Sequence, residues 1–261
     1  MDLQLTGRRA LITGATAGIG LSIAQRLAAE GADVLITGRQ QAKLDAAVAT
    51  IHEAGRVRGI LADAATAEGA ATLARLVPKV DILVNNLGIY EAKDFTDIRD
   101  EDWHRLFEVN VVSGARLAKT YFPGMRERGW GRIVFVSSES GLVPPPDMIH
   151  YAVTKSAQLT IARGLAQLTK GSAVTVNTVM PGPTRSEGIV DFLKSVASRP
   201  DLTAEELEAE FFRVHRPLSL IQRMIEPHEI AALVAYLASP LAGATNGAAL
   251  RVEGGIVPTI A

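Results

Sequence analysis

The chain has 261 residues, with 27 Lys plus Arg against 28 Asp plus Glu. The resulting net charge of -1 lacks the basic excess that phosphate contacts to nucleic acid require. Its composition contains no cysteine, which excludes disulfides, thiol nucleophiles and thiolate metal sites. No charged-then-apolar leader opens the sequence and no apolar run reaches membrane-spanning length, so a soluble, cytoplasmic protein without a membrane partner is expected.

Short β-branched runs alternate with amphipathic stretches along the chain. Strands are predicted at residues 10–13, 33–37, 57–61, 81–84, 132–137, 173–179 and 248–252. The first helix is predicted after the first strand, where Ile19, Ile23 and Leu27 recur every four residues and Gly31 supplies a stop. Strand–helix alternation of this kind predicts one α/β domain over 1–261, a doubly wound, mostly parallel seven-stranded sheet with helices on both faces. The long irregular region is 182–225, after the sixth strand. It should hold two short helices, one before Pro200 and one opening at Thr203, where Glu206 completes a capping box. Ligands of such sheets sit beyond the carboxyl ends of the strands, so this insertion is expected to be a substrate-binding lid.

The turn after the first strand reads LITGATAGIG. Gly14 suits a tight turn, Gly18 lets backbone approach a diphosphate, and Gly20 lets the helix pack closely on the strand. The helix start then offers free N–H groups and a positive dipole end to phosphate. A strand before and a helix after are the context this turn needs, which makes the domain Rossmann-type.

A second constellation lies in SSESGLVPPPDMIHYAVTK, residues 137–155. A phenol titrates near ~10, too high to trade a proton freely at neutral pH. A nearby ammonium favours phenolate, and Tyr151 and Lys155, four apart on a helix, share a face. Ser138 at the end of the preceding strand is placed to hydrogen-bond a substrate oxygen, although Ser137 and Ser140 compete on sequence alone. His150 reads as a substrate-wall or solvent residue. No His/Asp/Glu cluster has metal-ligand spacing, so no metal is expected.

The glycine spacing is GxxxGxG, and with VNNLG (84–88), FEVNV (107–111), GRIVFVSS (131–138), YAVTK (151–155), PGPT (181–184) and EGG (253–255) the chain resembles the short-chain dehydrogenase/reductase family over nearly its whole length. The resemblance implies an NAD(P)-dependent oxidoreductase interconverting a carbonyl and a secondary alcohol. Tyr151 would be its general acid/base, Lys155 would also bond the nicotinamide ribose, Ser138 would hold the substrate oxygen and Asn110 would hold a relay water. Read alone, the alternative for Asn110 is a helix-bending structural residue. Gly14, Thr16, Gly18, Ile19, Gly20, Asn86, Gly88, Pro181 and Gly182 would line the cofactor, with Asp63 at its adenine and Thr184 at the nicotinamide amide.

After the second strand stands Gly38 and then Arg39, where a carboxylate would favour NAD(H). A guanidinium suits a 2′-phosphate, so NADP(H) is favoured over NAD(H), with adenine stacking as the other role for Arg39. Leu87 replaces the family's usual alanine and is expected to narrow the space near the cofactor. Glu139 either brings charge to the pocket mouth or is solvated. Arg185, Arg213, His215 and Arg216 either meet an acidic substrate or face solvent, while Phe192, Phe211 and Phe212 pack the lid. The small-molecule substrate stays open among 3-oxoacyl thioesters, sugar acids, steroids and other secondary alcohols, as does an NAD(H)-dependent alcohol or sugar-acid dehydrogenase. A dinucleotide-sensing regulator is the non-enzymatic alternative, disfavoured because Tyr151 and Lys155 are both present. Relatives commonly form homotetramers through the helices bearing Asn110 and Tyr151 and through the last strand, so a homotetramer or dimer is expected.

Overall fold

The computed structural model describes residues 1–52, 56–186, 189–199 and 201–260. Seven strands form one sheet: β1 (Arg9–Ile12), β2 (Asp33–Gly38), β3 (Val57–Leu61), β4 (Ile82–Asn85), β5 (Trp130–Val136), β6 (Ala173–Pro181) and β7 (Ala249–Val252). Their order is β3-β2-β1-β4-β5-β6-β7 and every neighbouring pair is parallel. The mostly parallel sheet expected from the sequence is therefore wholly parallel. Each predicted strand is present, shifted by at most two residues at either end.

The central strands are apolar on both faces, as burial under two helical layers requires. Alternate residues feed opposite cores. Ile12, Ile36, Val84 and Val134 point into one, against helices α1 (Gly18–Ala29), α2 (Gln41–Ala49) and the C-terminal helix Pro227–Ala238. Leu11, Leu35, Leu83 and Ile133 point into the other, against α3 (Ala67–Leu76) and the two long helices that follow β4 and β5. Those are α5 (Ser113–Glu127), preceded by α4 (Asp100–Phe107), and α6 (Ile149–Gln167). Between β6 and the C-terminal helix, here α9, stand α7 (Ile189–Val196) and α8 (Ala204–Val214). Leu193, Leu207, Phe211, Phe212 and Met224 give this pair a small core of its own.

The Thr203–Glu206 capping box is present at α8: Thr203 N donates to Glu206 at 2.8 Å and Glu206 N donates to Thr203 Oγ1 at 3.3 Å. Pro200, expected to end the preceding helix, lies outside the described residues. The chain winds from β1 outward to β3, then returns to β4 beside β1 and winds the other way. At that reversal the loops beyond β1 and β4 diverge, opening a crevice at the carboxyl ends of the strands.

Helix α3 opens shortly after the carboxyl end of β3. Thr66 caps it by accepting from Gly69 N at 2.9 Å and donating to the Asp63 carbonyl at 3.0 Å. A Cβ on Gly69 would lie 1.9 Å from Asp63 O. Thr66→Ala should cost about 1 kcal/mol, lowering Tm by roughly 2–4 °C in a domain of this size. Gly69→Ala should lower Tm further, because backbone must move; thermal unfolding of the two variants with equal or reversed losses would contradict this packing.

Candidate active site

The crevice holds a cavity of about 290 Å³ whose lining gathers most of the singled-out residues. Ile19 and Gly20 come from the first turn, Asn86 and Gly88 from the end of β4, Ser138 and Glu139 from the end of β5. Tyr151 and Lys155 come from α6, Pro181, Gly182 and Thr184 from the end of β6, and Phe192, Phe211 and Arg216 from around α7 and α8.

The glycine turn is built as its residue types require. Gly14 and Gly18 have φ of 61° and 54°, the left-handed region where a side chain is strained. A Cβ on Gly20 would come within 2.4 Å of both Gly14 O and Asn86 Nδ2. Gly18 faces open space instead, with Ser186 Cβ at 4.0 Å the nearest atom a Cβ would meet. The N-terminus of α1 has neither a side-chain cap nor an acidic residue in its first turn. Its N–H groups thus stay available to an anion, and the bare cradle at Gly18 is the shape a diphosphate fits. Asn86 staples the turn by donating to Thr13 O at 3.0 Å and Gly14 O at 2.9 Å. Thr13, which sequence reasoning passed over, accepts from Asn86 N and Leu87 N, each at 3.1 Å.

A match to the short-chain dehydrogenase family model spans residues 8–194, the segment that carries the turn and the Tyr151–Lys155 pair. The chain belongs to that family. The uncharacterized oxidoreductase YvaG of Bacillus subtilis (strain 168) is 47% identical over the whole of both chains. The D-beta-hydroxybutyrate dehydrogenase of Cupriavidus necator is 32% identical over 97% of this chain and 99% of its own. Among solved structures, L-sorbose reductase from Gluconobacter frateurii, complexed with NADPH and L-sorbose, is 31% identical with a TM-score of 0.90 and full coverage of both chains. The protein is accordingly an NAD(P)-dependent oxidoreductase of the short-chain dehydrogenase type.

In this family member Asn110 lies in a π-helical turn, Glu108–Val112, between α4 and α5, where a regular helix was expected. The turn frees its carbonyl. Asn110 Oδ1 accepts from Ile89 N at 2.8 Å, and Nδ2 donates to Ile89 O at 2.9 Å and Thr154 Oγ1 at 3.0 Å. The side chain thus ties the loop after β4 to α6. The freed carbonyl accepts from Gln158 Nε2 at 2.5 Å. Gln158 Oε1 in turn accepts from Lys155 Nζ at 3.3 Å, and Val136 O accepts from the same amine at 3.0 Å. A carboxamide is the side chain that accepts from an ammonium and donates to a carbonyl at once. Sequence reasoning missed Gln158; its only signal was an amide one turn beyond Lys155 on an inward helix face.

Ser137 donates to Lys155 O at 2.8 Å, fixing α6 to β5, which leaves Ser138 with its hydroxyl beside Tyr151. Ser138 accepts from Ser140 N at 3.2 Å and donates to Glu139. Glu139 is not solvated: it lines the cavity, is 4% exposed, and has its other oxygen 3.5 Å from Arg216 Nε, so of the two expected placements the one at the pocket holds. Arg185 is occupied by Glu208 and Glu226, and the His215 ring stacks on Phe211, so neither reaches the cavity. Arg213 likewise stays out of it and is exposed. His150 is fully buried beside Trp103 rather than in a wall or in solvent. Leu87 is partly buried against the α3–α5–α6 core, with its Cδ1 3.4 Å from where a Cβ on Gly14 would stand. Arg39 is exposed beyond β2, next to Gly38, whose Cβ would sit 2.8 Å from Thr16 Cγ2. Asp63 caps its own turn through Ala65 N at 3.1 Å.

Burial, reinforced by the charge of Glu139, holds the Tyr151 phenol above its ordinary value, while Ser138 works the other way. The expected pull of Lys155 is outweighed here. Burial also lowers Lys155 to about 8, with Glu139 opposing. Because the unfolded lysine keeps its proton up to about 10.5, the folding penalty is full below pH 8 and fades as pH rises towards that value. The apo wild type should therefore gain up to about 3 kcal/mol relative to Lys155→Met between pH 8 and 10.5. Paired denaturant titrations measure that difference; a pH-independent gap between the two proteins would refute it.

Proposed function

We propose that the chain is an NADP(H)-dependent oxidoreductase that interconverts a carbonyl and a secondary alcohol, with Tyr151 as general acid and base. The observation that carries this reading is convergence: Tyr151, Ser138 and Lys155 line the same cavity as the glycine turn. Gly14, Thr16, Gly18, Ile19 and Gly20 would cradle the diphosphate, Asp63 would meet the adenine, and Pro181, Gly182 and Thr184 would flank the nicotinamide. A bound nicotinamide supplies or accepts the hydride. Tyr151 exchanges the proton with the reacting oxygen, and Lys155 lies with its amine 5.6 Å from the phenol ring centre, stabilising phenolate when it forms. Ser138 steadies the reacting oxygen. Asn110 acts by fastening the loop after β4 to α6, and its carbonyl, held by Gln158, keeps that junction closed.

Arg39 supports the preference for NADP(H). It is exposed and makes no ion pair among the described residues, and the related sorbose reductase was solved with NADPH. Residues 182–225 act as the lid, since Phe192, Phe211 and Arg216 reach into the cavity from α7 and α8. The Tyr90 ring stands edge-on to both Tyr151 and Phe192, giving the substrate an aromatic wall. Exposed Val112 and Val153, beside α5 and on α6, fit association into a dimer or tetramer through those helices.

Thermal shift with NADP⁺, NADPH, NAD⁺ and NADH tests the cofactor. The phosphorylated pair should stabilise most, by about 3 kcal/mol at ~100 Kd. Arg39→Ala should weaken NADP⁺ about 10- to 100-fold and NAD⁺ little. If NAD(H) stabilises more, or Arg39→Ala weakens both equally, the preference is wrong. Tyr151→Phe should lower kcat in a carbonyl and alcohol panel by roughly 10²- to 10⁴-fold, and full activity in that variant would remove Tyr151 from the chemistry.

A further inference from the structure

On the inward face of α6, Gln158 stands one turn after Lys155 and is followed at four-residue steps by Ala162 and Ala166, which pack into the apolar core. Gln158 is 1% exposed. A carboxamide so placed costs stability unless both its ends are bonded, and both are. Its Nε2 donates to the Asn110 carbonyl at 2.5 Å and its Oε1 accepts from Lys155 Nζ at 3.3 Å. Chemistry fixes the amide in this orientation: turned over, it would set oxygen against a carbonyl oxygen and N–H groups against an ammonium. The side chain therefore carries the position of the Asn110 carbonyl, in the π-helical turn, across to the amine of Lys155. Val136 O accepts from the same amine at 3.0 Å, so the ammonium is held between the end of β5 and that turn. An ammonium has three protons and a carbonyl oxygen two lone pairs, so Gln158 exhausts neither partner.

We infer that Gln158 is a further positioning residue of the reaction, its amide holding the Lys155 ammonium at the place from which it supports Tyr151. The inference rests on the proposed roles of Tyr151 and Lys155 and leaves both unchanged. An amide takes up no proton near neutral pH, so Gln158 acts only through the lysine. An oxygen acceptor aimed at the amine favours its charged form against burial. Without that acceptor the folded protein sheds the Lys155 proton at lower pH, and phenolate at Tyr151 loses part of its support.

The titratable and charged groups around the amine are Tyr151 on its own helix and Glu139 beyond β5, with Arg216 after α8 paired to Glu139. All three stay in place in the variants below, so their contributions cancel in the comparison. The test uses the full-length protein and Gln158→Met, which keeps the length of the side chain without its N–H donors or carbonyl oxygen; Gln158→Leu is the second variant. Either should lower kcat for alcohol oxidation about tenfold or more, with the KM for the alcohol within about twofold. The acid limb of kcat, where Tyr151 ionises, should move about one unit to higher pH. In a Lys155→Met background the same substitution should cost less than about twofold, because its route to the reaction is gone.

A second readout needs no turnover. Lys155 titrates at about 8 in the folded protein against 10.5 ordinarily, so the stability gap between the wild type and Lys155→Met changes from about pH 8 upward. With Gln158→Met in both proteins the folded value drops further below the unfolded one, and that change should begin about one unit lower. Wild-type kcat in Gln158→Met, an additive loss in the Lys155→Met background, or an unmoved onset of the stability gap overturns the positioning role. So does failure of both Gln158 variants to fold, which would make the amide a requirement of folding instead. If the wild type turns over no substrate, the proposed function falls by itself, and the onset of the stability gap alone then decides whether Gln158 holds the ammonium.

Discussion

The site depends on keeping one ammonium, that of Lys155, out of water. A buried cation is expensive unless neutral acceptors surround it, and the fold supplies them from three elements. Val136 O stands at the end of β5, Gln158 Oε1 one turn along α6, and the Asn110 carbonyl, freed by the π-helical turn, holds Gln158 in place. Two amine protons are thereby fixed on the protein and the third is left for the cavity, where Gly88 lies close: a Cβ there would sit 3.4 Å from the amine. A regular helix through residues 108–112 would close its own hydrogen bonds and leave Gln158 without that acceptor. The irregularity before α5 is therefore part of how the lysine is held.

That arrangement also explains why the site sits where it does. In a wholly parallel sheet every strand delivers its carboxyl end to the same edge, so β1, β4, β5 and β6 each contribute a loop to one crevice. The alternation that sends Leu83 and Val84 to opposite cores pins the register of β4, and with it Asn86 and Gly88 immediately beyond. A one-residue slip would exchange the two apolar faces of the strand and turn Asn86 away from the glycine turn it staples.

Much of this was legible in the sequence because it is local. Short β-branched runs, Gly31 as a helix stop, the Thr203–Glu206 box and the four-residue spacing of Tyr151 and Lys155 are set by near neighbours, and all appear as expected. What escaped was settled by distant partners. Glu139 looks like any carboxylate in a loop until Arg216, from the far end of α8, is placed against it. His150 adjoins Tyr151 in sequence, but on a helix adjacent residues face different ways, and Trp103 covers it. The sign of the Tyr151 perturbation was misjudged for a related reason: a lysine nearby lowers a phenol, but burial and a carboxylate raise it, and spacing alone does not weigh them.

The charges left in the cavity constrain what it accepts. On sequence alone, Arg185 and Arg216 either meet an acidic substrate or face solvent. In the folded chain Arg185 answers Glu208 and Glu226, and Arg216 answers Glu139. The remaining wall is apolar and aromatic, from Ile19, Ile89, Tyr90, Phe192 and Phe211, with polarity concentrated at Ser138, Tyr151 and Lys155. A carboxylate entering there would meet Glu139 at close range in a weakly screened site and would have to break the Glu139–Arg216 pair to gain a cation. The cavity's own charges therefore weigh against a carboxylate beside Ser138 and Tyr151, because Arg216 is already committed to Glu139.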